Sequence, residues 1–195
     1  MSEPEKRQPV GVIGLGLLGA AIARRLLRAG HAVLGHDLDA ARSAALTGVG
    51  VQAASPQEIA ARCGHIVLAV FTPAQAGEVA EAMFRTASRR TLVCTTTCDP
   101  QSTLALAARA HQMGWGYIEA PLSGTSAQVL GGEGVGLIGG APAAIAGARD
   151  LISAISPRWH MVGAAGDASR AKLAVNLIHG LNRLALAEDR LLTLD

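Results

Sequence analysis

Aromatic and charged residues are scarce in this sequence, and their scarcity limits what the chain can be. Of its 195 residues, 3% are aromatic, 16% are charged and 50% are hydrophobic. This composition excludes intrinsic disorder, because disordered chains are polar and highly charged. The net charge is +2, and no basic patch is interleaved with aromatic residues, so we expect no nucleic-acid partner. The length allows one or two domains with a sizeable core.

Cysteine is also rare, and no targeting segment is visible. Cys63, Cys94 and Cys98 form neither a C-x-x-C pair nor a zinc-type spacing with histidine, so we expect buried, reduced thiols and no metal. Residues 1–9 are polar and lack the apolar core of a signal peptide, and no apolar run approaches the length of a membrane span. We therefore expect a soluble, cytoplasmic protein without a membrane partner, whose residues 1–9 are flexible.

Strand-like and helix-like segments alternate from residue 10 onward. Strands are predicted at residues 10–13, 32–35, 49–51, 65–71, 91–94, 115–119, 134–138 and 159–162. Helices are predicted between them, several opened by proline, and one runs from Pro142 to just before Pro157. This alternation predicts a doubly wound, mainly parallel α/β sheet of the Rossmann type, with helices on both faces, over residues 10–167.

The first strand leads into a glycine motif typical of dinucleotide binding. Gly14, Gly16 and Gly19 form G-x-G-x-x-G directly before an apolar helix. In such a motif the glycines allow a tight turn, a close approach of phosphates, and close packing of helix on strand. Asp37 follows the next strand, 18 residues after Gly19, at about the distance where a carboxylate binds the adenosine ribose. Alternatively Asp37 is a solvated helix cap, although Asp39 is better placed for that role.

The C-terminal segment, residues 168–195, is predicted to be one long helix. Its apolar residues lie nearly all round the helix: Leu173, Val175, Leu177, Ile178, Leu181, Leu184, Leu186, Leu191, Leu192 and Leu194. Such a helix must be covered on several sides, by a further domain or by a second copy in a homo-oligomer. Lys172 and Asn176 share one face, which His179 continues. This stripe is either a solvated edge or the lining of a cleft, where the pKa of a desolvated lysine is lowered.

Two further segments follow strands and carry polar groups. Ser123, in the segment from Glu119 to Thr125, could donate a hydrogen bond to a substrate carboxylate, and no G-x-S-x-G motif surrounds it. Asp99 is predicted to cap the helix that Pro100 opens, and a hydroxyl of the preceding threonines could face a cofactor.

Taken together and in order, these blocks resemble the β-hydroxyacid dehydrogenase family, which includes 3-hydroxyisobutyrate dehydrogenase and tartronate semialdehyde reductase. Three blocks carry the resemblance: the glycine motif with Ala23, the run Ala120-Pro121-Leu122-Ser123-Gly124, and the glycine turn of Gly163 and Gly166 leading to Lys172 and Asn176. One departure is that Thr125 stands where the family has a second glycine.

The resemblance implies an oxidoreductase that transfers a hydride between NAD(H) and a small β-hydroxy acid or β-aldehyde acid. Lys172 would be the general acid/base, and the implied substrate-binding residues are Ser123, Gly124, Thr125 and Asn176. The implied cofactor-binding residues are Gly14, Gly16, Leu17, Leu18, Gly19, Asp37, Leu38, Phe71, Thr72 and Thr96. NAD is favoured over NADP, because Asp37-Leu38 stands where NADP-dependent members often carry Asn-Arg to hold the 2′-phosphate.

Members of the family continue into a helical domain of roughly 100 residues, whereas this sequence stops at Asp195. We therefore expect a truncated chain whose last helix, residues 168–195, begins the interdomain helix, and whose open cleft desolvates Lys172 poorly. A non-catalytic NAD-binding module is the alternative. An imine reductase is disfavoured by Lys172, and a 6-phosphogluconate-type reductase by the absence of a basic cluster near Ser123.

Overall fold

A nine-stranded sheet forms the centre of the molecule. The computed structural model describes residues 8–86 and 89–192, with side chains as far as residue 188. The strands are β1 (Val10–Ile13), β2 (Val33–His36), β3 (Val51–Ala53), β4 (His65–Leu68), β5 (Thr91–Cys94), β6 (Gly116–Glu119), β7 (Leu122–Ser123), β8 (Val135–Gly140) and β9 (Arg158–Gly163).

Helices connect most of these strands and begin at residues that favour the start of a helix. They are α1 (Leu17–Arg28), α2 (Ala40–Thr47), α3 (Pro56–Arg62), α4 (Pro73–Phe84), α5 (Pro100–Gln112), α6 (Ser126–Gly131), α7 (Pro142–Gly147), α8 (Arg149–Ile155) and α9 (Asp167–Leu192). Asp39 caps α2 and Asp99 caps α5, as predicted. Each carboxylate accepts from backbone N–H groups that the first helical turn leaves without a partner.

The strand order is β3-β2-β1-β4-β5-β6-β8-β7, with β9 beside β8. All pairs are parallel except those of β8 with β6 and with β7. The chain moves outward from β1 through β2 to β3, then returns to place β4 on the other side of β1. This reversal leaves a crevice at the carboxyl ends of β1 and β4, where open α/β sheets bind ligands. The predicted doubly wound, mainly parallel fold is confirmed.

Two hydrophobic layers cover the sheet, one on each face. Neighbouring strand residues alternate between them: Val12 packs with α1 and α8, whereas Ile13 packs with α3 and α4. The same alternation separates Val67 from Leu68 on β4, as the pleat of a strand requires. Helices therefore lie on both faces of the sheet, as the sequence predicted.

Several element boundaries differ from the prediction. The helix expected from Pro142 onward is two helices, α7 and α8, divided at Ala148 directly after Gly147, a poor helix former. The strand predicted over residues 65–71 ends at Leu68, because residues 69–71 turn out of the sheet into the crevice. Strand β7 and helix α6 were not predicted, since both are short and carry little periodicity.

Helix α9 is 26 residues long, and most of it is uncovered by the part of the chain that the structure describes. Its apolar side chains are 42–65% exposed, namely Leu173, Leu177, Ile178, Leu181, Leu184 and Leu186. The predictions for residues 1–7, for residues 193–195 and for the side chains of Leu191, Leu192 and Leu194 lie outside the described residues. The assignment of this segment as the start of an interdomain helix stays a prediction.

The packing of β1 on α3 yields a stability prediction. A Cβ atom on Gly11 would overlap Cγ2 of Ile59. We expect Gly11→Ala to lower the free energy of unfolding by about 1–3 kcal/mol through overpacking, and Ile59→Ala to lower it by about 2–5 kcal/mol. The double variant should lose clearly less than the sum, because Ile59→Ala removes the overlapping atom.

Urea unfolding of the four proteins measures this coupling. Gly77→Ala in α4 is the matched control, since nothing lies within 4 Å of a Cβ there, and it should stabilise the chain by about 0.5–1 kcal/mol. Strictly additive losses at Gly11 and Ile59 would contradict the described contact.

Candidate cofactor and substrate site

A cavity of about 450 Å³ opens at the crevice between β1 and β4. Its lining includes Gly14 from the glycine turn, Asp37 and Leu38 from the end of β2, and Phe71 from the end of β4. Leu38 is 91% and Phe71 92% exposed. Two large apolar side chains therefore lie uncovered beside a carboxylate, an arrangement suited to a ligand with a flat ring and polar hydroxyls.

The three glycines of the turn differ in what requires them. Gly14 has a positive φ of 88°, and a Cβ there would overlap the carbonyl of Ala69; a Cβ on Gly19 would overlap the carbonyl of Gly14. A Cβ on Gly16 would meet nothing closer than the Arg42 guanidinium at 3.8 Å. The fold itself thus requires Gly14 and Gly19, whereas the space above Gly16 fits a group that approaches the backbone from outside.

The start of α1 offers donors to such a group. Gly16 is its N-cap residue and provides no side-chain cap. Leu17 and Leu18 occupy the first turn, where backbone N–H groups lack intrahelical partners, and Leu17 is 84% exposed. Exposed N–H groups and the positive end of the helix dipole favour an anion. The cradle therefore fits the pyrophosphate of a dinucleotide.

Asp37 holds the glycine turn as well as facing the cavity. One carboxylate oxygen accepts from the Leu15 N–H at 2.6 Å, and the other accepts from the Asp39 N–H at 2.9 Å. The Arg42 guanidinium lies 3.7 Å away, and the Asp37 side chain is only 9% exposed. A fixed negative charge at this position would accept hydrogen bonds from ribose hydroxyls and repel a phosphate.

Two of the predicted cofactor residues have hydrogen bonds within the fold. Thr72 caps α4 in a reciprocal capping box with Gln75. The buried Thr96 hydroxyl donates to the carbonyl of Val70 at 2.9 Å. The Thr96 bond joins the loop after β5 to the loop after β4, whereas the Thr72 bonds fix the start of α4.

Lys172 lies in the second turn of α9 and is 8% exposed. Its burial lowers the pKa of the ammonium group below the usual value for lysine. Residues of this chain bury most of the Lys172 side chain, while the expectation that an open cleft desolvates its ammonium group poorly stays a prediction. Asn176 and His179, on the same stripe, are exposed.

Three of the predicted substrate residues lie between the end of β7 and the N-cap of α6, and the fourth, Asn176, lies on α9. Ser123 ends β7, and Gly124 follows with a φ of 131°. Thr125 caps α6: its N–H donates to Oε1 of Gln128 at 2.8 Å, and its hydroxyl oxygen accepts from the Gln128 N–H. The backbone N–H of Thr125 is thus already engaged, while its hydroxyl can still donate.

Sequence reasoning missed the part played by Glu119. This carboxylate is 2% exposed and accepts hydrogen bonds from the Ala168 N–H at 2.6 Å and from the Ser169 hydroxyl at 2.8 Å. It therefore connects the end of β6 to the first turn of α9. The available signal was a single charged residue in the otherwise apolar run of residues 115–122.

No group of three or more His, Cys, Asp or Glu side chains within residues 8–86 and 89–192 could hold a metal ion. In the same part of the chain, no helix combines the length and the hydropathy that crossing a bilayer requires.

The glycine turn, the carboxylate after β2 and the crevice between β1 and β4 define a dinucleotide-binding domain of the Rossmann type. The chain belongs to the family described as the NAD binding domain of 6-phosphogluconate dehydrogenase, which it matches over residues 9–163. This match extends far beyond the glycine motif. It supports NAD as the cofactor class of the domain and agrees with the resemblance to the β-hydroxyacid dehydrogenases.

Known proteins extend the comparison. L-threonate dehydrogenase of Cupriavidus necator is 32% identical over 186 residues, which cover 92% of this chain and 62% of that relative. A structure of Mycobacterium tuberculosis 3-hydroxyisobutyrate dehydrogenase with L-serine has a TM-score of 0.89 at 22% identity, covering 93% of this chain and 63% of that one. An imine reductase variant from Myxococcus stipitatus with NAD⁺ has a TM-score of 0.88 at 21% identity, covering 93% and 64%. At these identities the two structures show a shared fold. The chain spans about three fifths of the length of each of these proteins.

The different surroundings of the glycines yield a prediction for cofactor binding. We expect Gly16→Ala to change the free energy of unfolding by no more than about 1 kcal/mol, but to weaken NADH binding about tenfold or more, since the methyl group would occupy the phosphate approach. Fluorescence titration with NADH and urea unfolding measure the two effects. Gly19→Ala is the contrasting variant, and it should lose stability. A Gly16→Ala protein that binds NADH normally would count against a dinucleotide in this cradle.

The charge of Asp37 yields a second prediction. Asp37→Asn keeps an oxygen to accept from the Leu15 N–H but removes the negative charge, so it should weaken the preference for NADH over NADPH about tenfold or more, or roughly 1.4 kcal/mol. Asp39→Asn, which changes a carboxylate two residues away, should leave the preference unchanged. Dissociation constants for both cofactors provide the comparison, and an unaltered ratio in Asp37→Asn would refute the assigned role.

Proposed function

We propose that this chain is the cofactor-binding part of an NAD-dependent dehydrogenase that transfers a hydride between NAD(H) and a small β-hydroxy acid or β-aldehyde acid. The observation that carries the proposal is a buried lysine with a lowered pKa, Lys172, on a helix bonded to the strand that leads to Ser123. The names of two similar proteins, L-threonate dehydrogenase and 3-hydroxyisobutyrate dehydrogenase, also specify hydroxy-acid substrates.

In this proposal the chain supplies binding, orientation and a proton acceptor. A nicotinamide cofactor bound at the glycine turn would supply the acceptor for the hydride of the carbinol carbon. The neutral amine of Lys172 takes the hydroxyl proton during oxidation and returns it to the carbonyl oxygen during reduction. Because burial lowers the pKa of Lys172, more of the amine is neutral near physiological pH than for an exposed lysine.

The substrate carboxylate is assigned to the loop after β7. The Ser123 hydroxyl and the Gly124 N–H donate to it, and the Thr125 hydroxyl is a further donor. Asn176, one turn beyond Lys172, orients the substrate oxygen. The choice of β- rather than α-hydroxy acids rests on the resemblance to the β-hydroxyacid dehydrogenases.

The uncovered apolar residues of α9 support a homo-oligomer formed through this helix, and the proposal includes a cytoplasmic location. The same exposure favours a second candidate function. In this second candidate the chain binds NAD without turnover, as a cofactor-binding module, and the uncovered helix recruits a partner. Measured turnover distinguishes the two.

Activity assays of the purified chain test the proposal. NADH formation is followed with a panel of small β-hydroxy acids, including L-threonate and 3-hydroxyisobutyrate. Lys172→Ala should lower kcat by about 10²–10⁴-fold, the usual contribution of a general base, while the dissociation constant of NADH stays unchanged. Arg170→Ala, which removes an exposed cation from the same helix, should retain activity.

The pH profile adds a second check on the same residue. The rate of oxidation should rise with pH through the pKa of Lys172, which lies below the usual 10.5, and should level off above it. Turnover that survives in Lys172→Ala would refute the role of the lysine. NADH binding without turnover on any acid would favour the binding module.

A further inference from the structure

A buried chain of hydrogen bonds joins three elements beneath Lys172. The Ser169 hydroxyl donates its single proton to Glu119 at 2.8 Å, so the 2.8 Å contact between Ser169 and Thr103 must have the Thr103 hydroxyl as donor. Thr103, Ser169 and Glu119 are 1%, 3% and 2% exposed. This series of hydrogen bonds thus connects α5 to α9 and α9 to the end of β6.

The carboxylate of Glu119 is fixed from more than one side. It accepts from the N–H groups of Ala168 at 2.6 Å and Ser169 at 3.3 Å, in addition to the Ser169 hydroxyl. On the opposite side lies Gly139 of β8, where a Cβ atom would overlap Oε1 of Glu119. Any side chain at position 139 would displace the carboxylate. The position of Glu119 at the end of β6 is therefore fixed both by the N–H groups of α9 and by Gly139.

The Glu119 carboxylate binds the helical turn that precedes Lys172. Ala168 and Ser169 precede Lys172 by four and three residues, so all three lie on one face of α9. The donors that Glu119 binds are therefore one turn below the lysine. Glu119 is also four residues before Ser123, the proposed carboxylate donor.

We propose that Glu119 is the positioning residue for Lys172: its buried carboxylate holds the first turn of α9 against β6 and so keeps the lysine buried. Glu119 acts through the helix and touches neither substrate nor cofactor. The importance of this placement rests on the proposed function, but the placement itself is measurable without cofactor, substrate or turnover.

Charged and titratable groups on the neighbouring elements do not account for the lowered pKa of Lys172. Of the main elements packed on α9, β8 carries no titratable residue and β9 carries Arg158 and His160, while α5 is capped by Asp99 and carries Arg109 and His111 in its last turn. On α9 itself, Asp167 and Arg170 pair with each other. Burial is the resolved cause of the lowered pKa of Lys172.

Three other titratable groups lie on the Glu119 side of the network. Burial raises the pKa of Tyr117, and the thiols of Cys94 and Cys98 and the Glu119 carboxylate raise it further. The hydrogen bond with Cys94 raises the pKa of Cys98, as do burial and, more weakly, the charge of Glu119.

The sequence makes a direct measurement feasible, because it contains two lysines, Lys6 and Lys172. Protein labelled with ¹³C at lysine Cε gives two resonances to titrate, and Lys172→Met assigns them. In Glu119→Gln the amide presents an NH₂ group to donors, which releases the first turn of α9 into water. We expect the pKa of Lys172 to rise by about half a unit or more toward the usual lysine value.

The sign of the shift separates positioning from charge. Loss of a nearby negative charge lowers the pKa of an amine, whereas exposure to water raises it. Asp167→Asn is the matched control, since it removes a carboxylate from the same turn but cuts no bond to β6, and it should not raise the pKa of Lys172. If Glu119→Gln remains folded by thermal unfolding and the pKa of Lys172 is unchanged or falls, the inference is wrong.

If Glu119→Gln fails to fold, two milder variants test the positioning role of Glu119. Thr103→Val removes one hydrogen bond of the network, and Ser169→Ala removes the two that the Ser169 hydroxyl makes with Thr103 and Glu119. Each should raise the pKa of Lys172 by a smaller amount than Glu119→Gln. No rise in either folded variant would overturn the inference. Because this readout needs no turnover, absence of dehydrogenase activity would defeat the proposed function and leave this result standing.

Discussion

The close packing of α1 on the end of β1 is the contact on which the rest of the site depends. The carbonyl of Gly14 lies where a side chain at Gly19 would have to be, so the helix starts directly against the turn. Its first N–H groups then face the crevice that the strand order opens between β1 and β4. Asp37 secures the same turn from the neighbouring strand through the Leu15 N–H. Local packing thus leaves the first N–H groups of α1 without intrahelical partners at the crevice, an arrangement that favours an anion.

Much of this architecture could be predicted because it follows from local rules. The glycine spacing, the proline and aspartate helix starts, and the apolar runs each identify an element within a few residues. Helix α7 and α8, strand β7 and helix α6 were missed or merged because short elements depend on tertiary contacts more than on periodicity. The antiparallel pairing of β8 likewise requires knowledge of which strands meet, which no single segment contains.

The candidate site was predictable in its residue types and less so in their surroundings. The polar stripe on the last helix left Lys172 open between a solvated edge and a cleft, and its burial depends on residues distant in sequence. Glu119 illustrates the same limit. A carboxylate in an apolar segment signals that something must bind it, but its partners, Ala168 and Ser169, lie about 50 residues away. The fold is shared with imine reductases, so function has to be argued from these side chains and not from the fold.

The unequal roles of the three glycines have a consequence for how such sequences change over time. Gly14 and Gly19 are held by the fold, so substitution there carries a cost in stability whatever the protein does. Gly16 faces open space, so only the approach of the proposed ligand would require glycine there. In a lineage that stopped using a dinucleotide, drift would therefore replace Gly16 first, and the glycine motif would decay in a definite order while the fold survived.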